Sequence, residues 1–174
     1  MSKEKIILIF PDGVGIRNYL YSEVFKNVDA DITILHSFDN ETEKLLASNS
    51  DVKKFYRIPK YVESVKEKFL RELICLSRLK HNAKIAKNPT ILSNWNTKQK
   101  GFVNKVFYTL ITQASRLFPS YNQILKLEKA YQKSLRKNSF YHEIEALFVE
   151  CKPTSIFCSH QRALACATIF AVAE

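Results

Sequence analysis

Five consecutive apolar residues, Ile6 to Phe10, run without a polar interruption into Pro11-Asp12-Gly13-Val14-Gly15. A run this short and continuous reads as a strand buried on both faces, because a half-exposed strand would alternate. Such strands belong to parallel sheets covered by helices, which commits the chain to an α/β architecture. The following turn holds two of the chain's three glycines. A chain so poor in glycine places them where a sharp turn or close backbone approach demands it. Apolar residues then recur at Ile16, Leu20, Val24 and Phe25, the spacing of a helix that reaches Asn27.

Asp31 to His36 is a second β-rich run, so the opening reads strand, helix, strand, with a right-handed crossover and a parallel pair. A short helix is expected from Glu41 to Ala47 with Asn40 as its cap, and a third strand from Lys54 to Ile58, before Pro59. From Tyr61 to Lys87 the positions Val62, Val65, Phe69, Leu73, Leu76, Leu79 and Ala83 form one stripe of a long helix. Asn88-Pro89 ends it, and the polar stretch from Thr90 to Gly101 around Trp95 reads as a loop. Further helices follow at Phe102 to Phe118, with Val103, Val106, Leu110, Ala114 and Leu117 as the stripe, then around Ile124 to Leu135 and Tyr141 to Phe148. Thr154 to Cys158 is the fourth strand, leading into Ser159-His160-Gln161-Arg162 and a last helix that starts there. The expected fold is a single α/β, Rossmann-like domain over residues 1–174. It has a parallel sheet of about four strands in the order 3-2-1-4 and a helical insertion over about residues 61–150. The last helix meets no Gly, Asn or Pro stop signal, so a longer protein with a further domain after Glu174 is expected.

At 174 residues and 46% hydrophobic, the chain can bury one substantial core. Cys75, Cys151, Cys158 and Cys166 lack metal-type spacing, and no signal segment opens the chain. Cys158, inside an apolar run, reads as inert. Apolar runs fall short of the roughly 20 residues of a membrane span. These features suggest a reduced, cytoplasmic protein, peripheral at most to the inner face of a membrane. The net charge of +10 is concentrated: residues 53–105 hold fourteen Lys and Arg against three Glu. That segment is either a solvated basic face or a surface for anionic partners, an acidic membrane among them. Most of its aromatic residues fall on apolar stripes and no nucleic-acid module is recognisable, so nucleic acid is the weaker partner class.

In a 3-2-1-4 sheet, strands one and four are neighbours whose crossovers leave on opposite sides, and ligands bind where their carboxyl ends part. Those ends are Pro11 to Gly15 and Ser159 to Arg162. Both are expected to precede helix N-termini, which attract anions, and Arg17 and Arg162 could add charge. A dinucleotide fingerprint would need glycine at Asn18 and an acid where His36 ends strand two. A P-loop would need Gly-Lys-Ser/Thr before the helix, which is absent. The glycine turn therefore either approaches another ligand or packs a helix on the sheet. His160 is a candidate base, because imidazoles titrate near neutrality, or else a contributor to the helix cap with Ser159. Asp12 is a second base candidate, or an ordinary turn residue. His36, His81 and His142 show no metal spacing.

The strand, glycine turn and helix of Ile6 to Asn18, the order of elements, and Ile156-Phe157-Cys158-Ser159-His160-Gln161-Arg162 before an alanine-rich helix resemble the amino-terminal domain of GT-B glycosyltransferases. They look most like bacterial members acting on surface polysaccharides. The resemblance implies an acceptor-side half, with a nucleotide-sugar donor held mainly by a second domain beyond these residues. It implies His160 and Asp12 as catalytic residues. Gly13, Val14, Gly15, Arg17, Asn18, Ser159, Gln161 and Arg162 would line the substrate cleft. It implies a saccharide or lipid-linked acceptor, membrane contact through residues 53–105, and no metal or other cofactor. A non-catalytic α/β binding or regulatory module is the alternative.

Overall fold

A computed structural model describes residues 3–13, 15–20, 23–25, 28–49, 52, 54–98, 101–160 and 163–174. Strands β1 (Glu4–Phe10), β2 (Ala30–His36), β3 (Lys54–Arg57) and β4 (Ser155–Cys158) form one all-parallel sheet in the order β3-β2-β1-β4. Ile9 lies opposite Leu35 on one side and Cys158 on the other. The continuous apolar run of β1 is explained by its central place, with Ile7 to Phe10 all buried. Alternate residues feed opposite faces, as the strand period of two requires. Ile7 and Ile9 pack with Phe140 and Ile144 of α5 (Ser139–Cys151) and Ile169 of α6 (Leu164–Ala173). Leu8 and Phe10 pack with Ile34, Phe38 and Leu46, the last from α1 (Asn40–Asn49). The sheet is thus covered on both faces, a Rossmann-like arrangement of the expected order.

Three local expectations are corrected. Between β1 and β2 the described residues form a π-helical turn at Ile16–Leu20 and a 3-10 turn at Glu23–Phe25 instead of one α-helix. Tyr19 and Phe25 both meet Phe157 edge-on, at 4.9 and 5.8 Å between ring centroids. Six residues apart, they would point about 120° apart around an α-helix, so the shared contact favours irregular turns. Asp39, not Asn40, caps α1, its Oδ1 accepting from Thr42 N–H at 2.7 Å. The Asn40 side-chain oxygen, Oδ1, accepts from Arg57 Nη2 instead. The last helix starts at Leu164, not within Ser159 to Arg162.

The chain divides into two compact units, residues 1–62 with 138–174, and residues 63–137. The helix α5 belongs with the sheet. The two ends of the intervening segment meet within the first unit, where Asn138 Nδ2 donates to Val62 O at 3.1 Å. The second unit comprises α2 (Val65–Ile85), a 3-10 stretch (Pro89–Lys98), α3 (Phe102–Ala114), a 3-10 turn (Ser115–Leu117) and α4 (Tyr121–Leu135). The long helix begins at a capping box of Ser64 and Glu67. The expected loop from Thr90 is ordered because Trp95 is buried in the core of this unit, edge-on to Tyr108 at 5.4 Å. Most of the expected buried stripe faces outward: Val103, Val106 and Leu110 on α3 and Leu117 in the following turn are exposed, Ala114 alone of the stripe packs on the core, and Tyr108 and Ile111 are buried. Aromatic rings bury more area than Val or Leu, so the stripe with Phe107 and Tyr108 takes the core. No helix among the described residues is long and apolar enough to cross a membrane.

Candidate functional site

The pairing of Ile9 with Cys158 sets the register at the carboxyl edge of the sheet. Ser159 prolongs it by one step, its N–H and its hydroxyl both donating to Ile9 O, at 3.1 and 3.3 Å. Ser159 therefore extends the β4 edge and does not cap a helix. Three residues beyond Ile9 and two beyond Cys158, Asp12 and His160 meet: His160 Nδ1 pairs with Asp12 Oδ2. The imidazole side chain is 41% exposed and the carboxylate 33%, so the pair is open to a ligand. A carboxylate accepts, so the proton of this bond sits on Nδ1 and Nε2 is the basic nitrogen.

The two glycines of the turn separate in role. Gly15 is buried, and a Cβ there would run into the Phe10 ring and stand 2.6 Å from Ser159 Oγ. It is a packing glycine that lets the turn close against both strand ends. Gly13 is exposed with nothing within 4 Å of an added Cβ. Asn18 is exposed on the π-helical turn. That turn has five residues, too few for the aligned dipole of the anion-attracting helix N-terminus expected after β1. Val14, Gln161 and Arg162 lie outside the described residues, as does the side chain of Arg17.

Two features at this edge were not legible in the sequence. Cys158 is half-buried, with Sγ 3.2 Å from His160 O and 3.5 Å from Cys166 Sγ. The S–H of Cys166 directed at Cys158 pulls the Cys158 thiol down to about 6 against the opposing effect of burial, with His160 adding to the pull. Cys166 is pushed up by the same contact and by burial. Cys158 is thus half-buried beside a second thiol, not sealed inside an apolar strand as its place in the sequence suggested. The signal was diluted because eight positions separate the two cysteines, a spacing tied to no motif.

At the end of β2, His36 is fully buried, its Nδ1 accepting from Phe38 N–H at 3.1 Å and its ring stacked on Phe38 at 4.8 Å. Its Nε2 lies 3.8 Å from the Glu43 carboxylate, which Arg57 also holds at 2.6 Å. Burial lowers the His36 pKa, Glu43 opposes this and Arg57 adds to it. His36 thus fills, with a neutral ring, the place where a ribose-binding acid would stand. Among the described residues no group of three His, Cys, Asp or Glu side chains is placed to hold a metal ion. Comparison with family models, curated proteins and solved structures gave no match.

Proposed function

We propose that the chain is the acceptor-side, amino-terminal half of a glycosyltransferase of the GT-B type, with Asp12 and His160 as its proton-accepting dyad. The observation that carries this reading is the His160–Asp12 pair at the parting of β1 and β4, the switch point where doubly wound sheets bind ligands. The carboxylate fixes the imidazole tautomer and stabilises the imidazolium that forms when Nε2 takes a proton. In the proposed transfer, the acceptor hydroxyl oxygen bonds to the anomeric carbon of the nucleotide-sugar and its proton passes to Nε2. The carbon–oxygen bond to the nucleoside diphosphate breaks with its electron pair on the leaving oxygen. Gly13 and Asn18 border the substrate cleft, and the donor is held mainly by a second domain. A bacterial surface polysaccharide, free or lipid-linked, is the proposed acceptor class.

An anionic membrane surface is the proposed partner of the second unit. Residues 63–137 carry sixteen Lys and Arg against four Glu, and α3 turns Phe102, Val103 and Leu110 outward, each more than half exposed. Basic charge beside an uncovered apolar helix face matches the interfacial region of a bilayer.

Steady-state kinetics with the protein joined to its donor-binding half test the reading. Asp12→Asn and His160→Ala should each lower kcat by about 10²–10⁴ with donor affinity retained. The 174-residue chain alone should show no transfer. Wild-type turnover in both variants would remove the dyad from the mechanism and leave a non-catalytic binding module.

A further inference from the structure

The sulfurs of Cys158, the last residue of β4, and Cys166, in the first turn of α6, are 3.5 Å apart, and both are free thiols. Their access differs sharply, since Cys158 is half-buried whereas Cys166 is 1% exposed. Cys158 is therefore the more accessible residue of the pair, and Cys166 lies behind it in the core. The connecting segment begins with Ser159 and His160.

We propose that Cys158 and Cys166 form a thiol–disulfide exchange site for small linear disulfides of the glutathione type, with Cys158 attacking and Cys166 resolving. The Cys158 thiolate bonds to one sulfur of the disulfide, whose S–S bond breaks and releases one glutathione thiolate. Cys166 then passes its proton to solvent or to that thiolate, attacks the Cys158 sulfur and expels the second glutathione. Two electrons move from the protein dithiol to the glutathione disulfide, giving one internal disulfide and two glutathiones. The order is favoured by the electrostatics of the pair. Capping Cys158 removes the negative sulfur that helps to hold the proton on Cys166. The new bond would tie the end of β4 to α6 and draw Cys158 Sγ from its 3.2 Å contact with His160 O. The segment bearing His160 therefore changes with the redox state, whether or not the chain is a transferase.

The test uses the full reduced chain, incubated with oxidised glutathione without air, quenched in acid, alkylated and mapped by mass spectrometry. A peptide linking Cys158 to Cys166 and lacking two hydrogens is expected, and Cys166→Ala should stop at one glutathione on Cys158. In the wild type the rate at which free Cys158 is consumed should level off near about pH 7, below the roughly 8.5 of an ordinary thiol. Glutathione persisting on wild-type Cys158 without the linked peptide would overturn the proposal. So would bridging through Cys75 or Cys151, or a rate still rising steeply at about pH 9. None of these readouts depends on sugar transfer.

Discussion

The edge of the sheet is decided by single atoms at Gly15. A methyl group there meets the Phe10 ring and Ser159 Oγ, both tied to strand ends that cannot easily retreat. Gly15→Ala should therefore cost about 1–3 kcal/mol in denaturant unfolding. Gly13→Ala, facing open space at an ordinary φ, should stay within about 0.5 kcal/mol of wild type. Equal losses at both sites would mean that the turn does not close as described. His36 supplies a pH-dependent term. Its folded pKa lies below the ordinary 6.5 because burial disfavours the imidazolium. The unfolded chain then binds the proton more readily, so the stability is present above about pH 6.5 and is lost as pH falls from there through the folded value. His36→Asn keeps an acceptor for Phe38 N–H without the titration. Its melting temperature should fall less than that of wild type between about pH 7 and about pH 5, above the range where Asp39 and Glu43 titrate. The Asp12–His160 meeting was legible as two strand ends brought together by the sheet order. The burial of His36 was not, because a histidine closing a strand looks the same in sequence whether it faces a ligand or stacks on Phe38.

Among the elements, the strands were the most legible, since Ile6 to Phe10 and Ile156 to Cys158 can be continuous only where both faces are covered. Helical faces were less so. Apolar residues on α3 lie on two stripes, and periodicity alone does not say which one meets a neighbour. Likewise Asn94, Asn96 and Thr97 gave the stretch before α3 a loop-like composition that masked the one anchoring side chain, Trp95. The outward stripe of α3 has a measurable consequence if it meets a bilayer. Sedimentation with vesicles rich in phosphatidylglycerol should recover the chain, and vesicles of phosphatidylcholine should recover much less. Val103→Ser with Leu110→Ser removes exposed apolar area only, so it should weaken binding at least about tenfold without lowering the melting temperature. High salt should weaken it too, through screening of the basic residues. Equal binding to neutral and anionic vesicles, or none to either, would remove the membrane as partner.

For the whole molecule, the informative fact is where the cores lie. Every residue in the two clusters on the sheet belongs to 1–62 or 138–174, and every residue in the helical cluster belongs to 63–137. The long insertion was legible as a helical stretch between strands three and four. Its boundary was not, because α5 has the same amphipathic pattern as the helices before it and only packing assigns Phe140 and Ile144 to the sheet. The chain leaves and re-enters the first unit at neighbouring points, as the 3.1 Å bond from Asn138 to Val62 O shows. Loop closure over so small a gap costs little, and a shorter connection costs less still. Replacing residues 63–137 with about four Gly and Ser residues, a common connection length, should leave a chain that unfolds cooperatively. Its upfield methyl resonances from the Ile7, Ile9 and Ile169 cluster should persist in NMR spectra. A shortened chain with helical circular dichroism but no dispersed methyl signals would show that the sheet needs the insertion to pack. The same variant separates the two proposed roles, because it should retain glutathione-driven closure of Cys158 with Cys166 while losing vesicle binding.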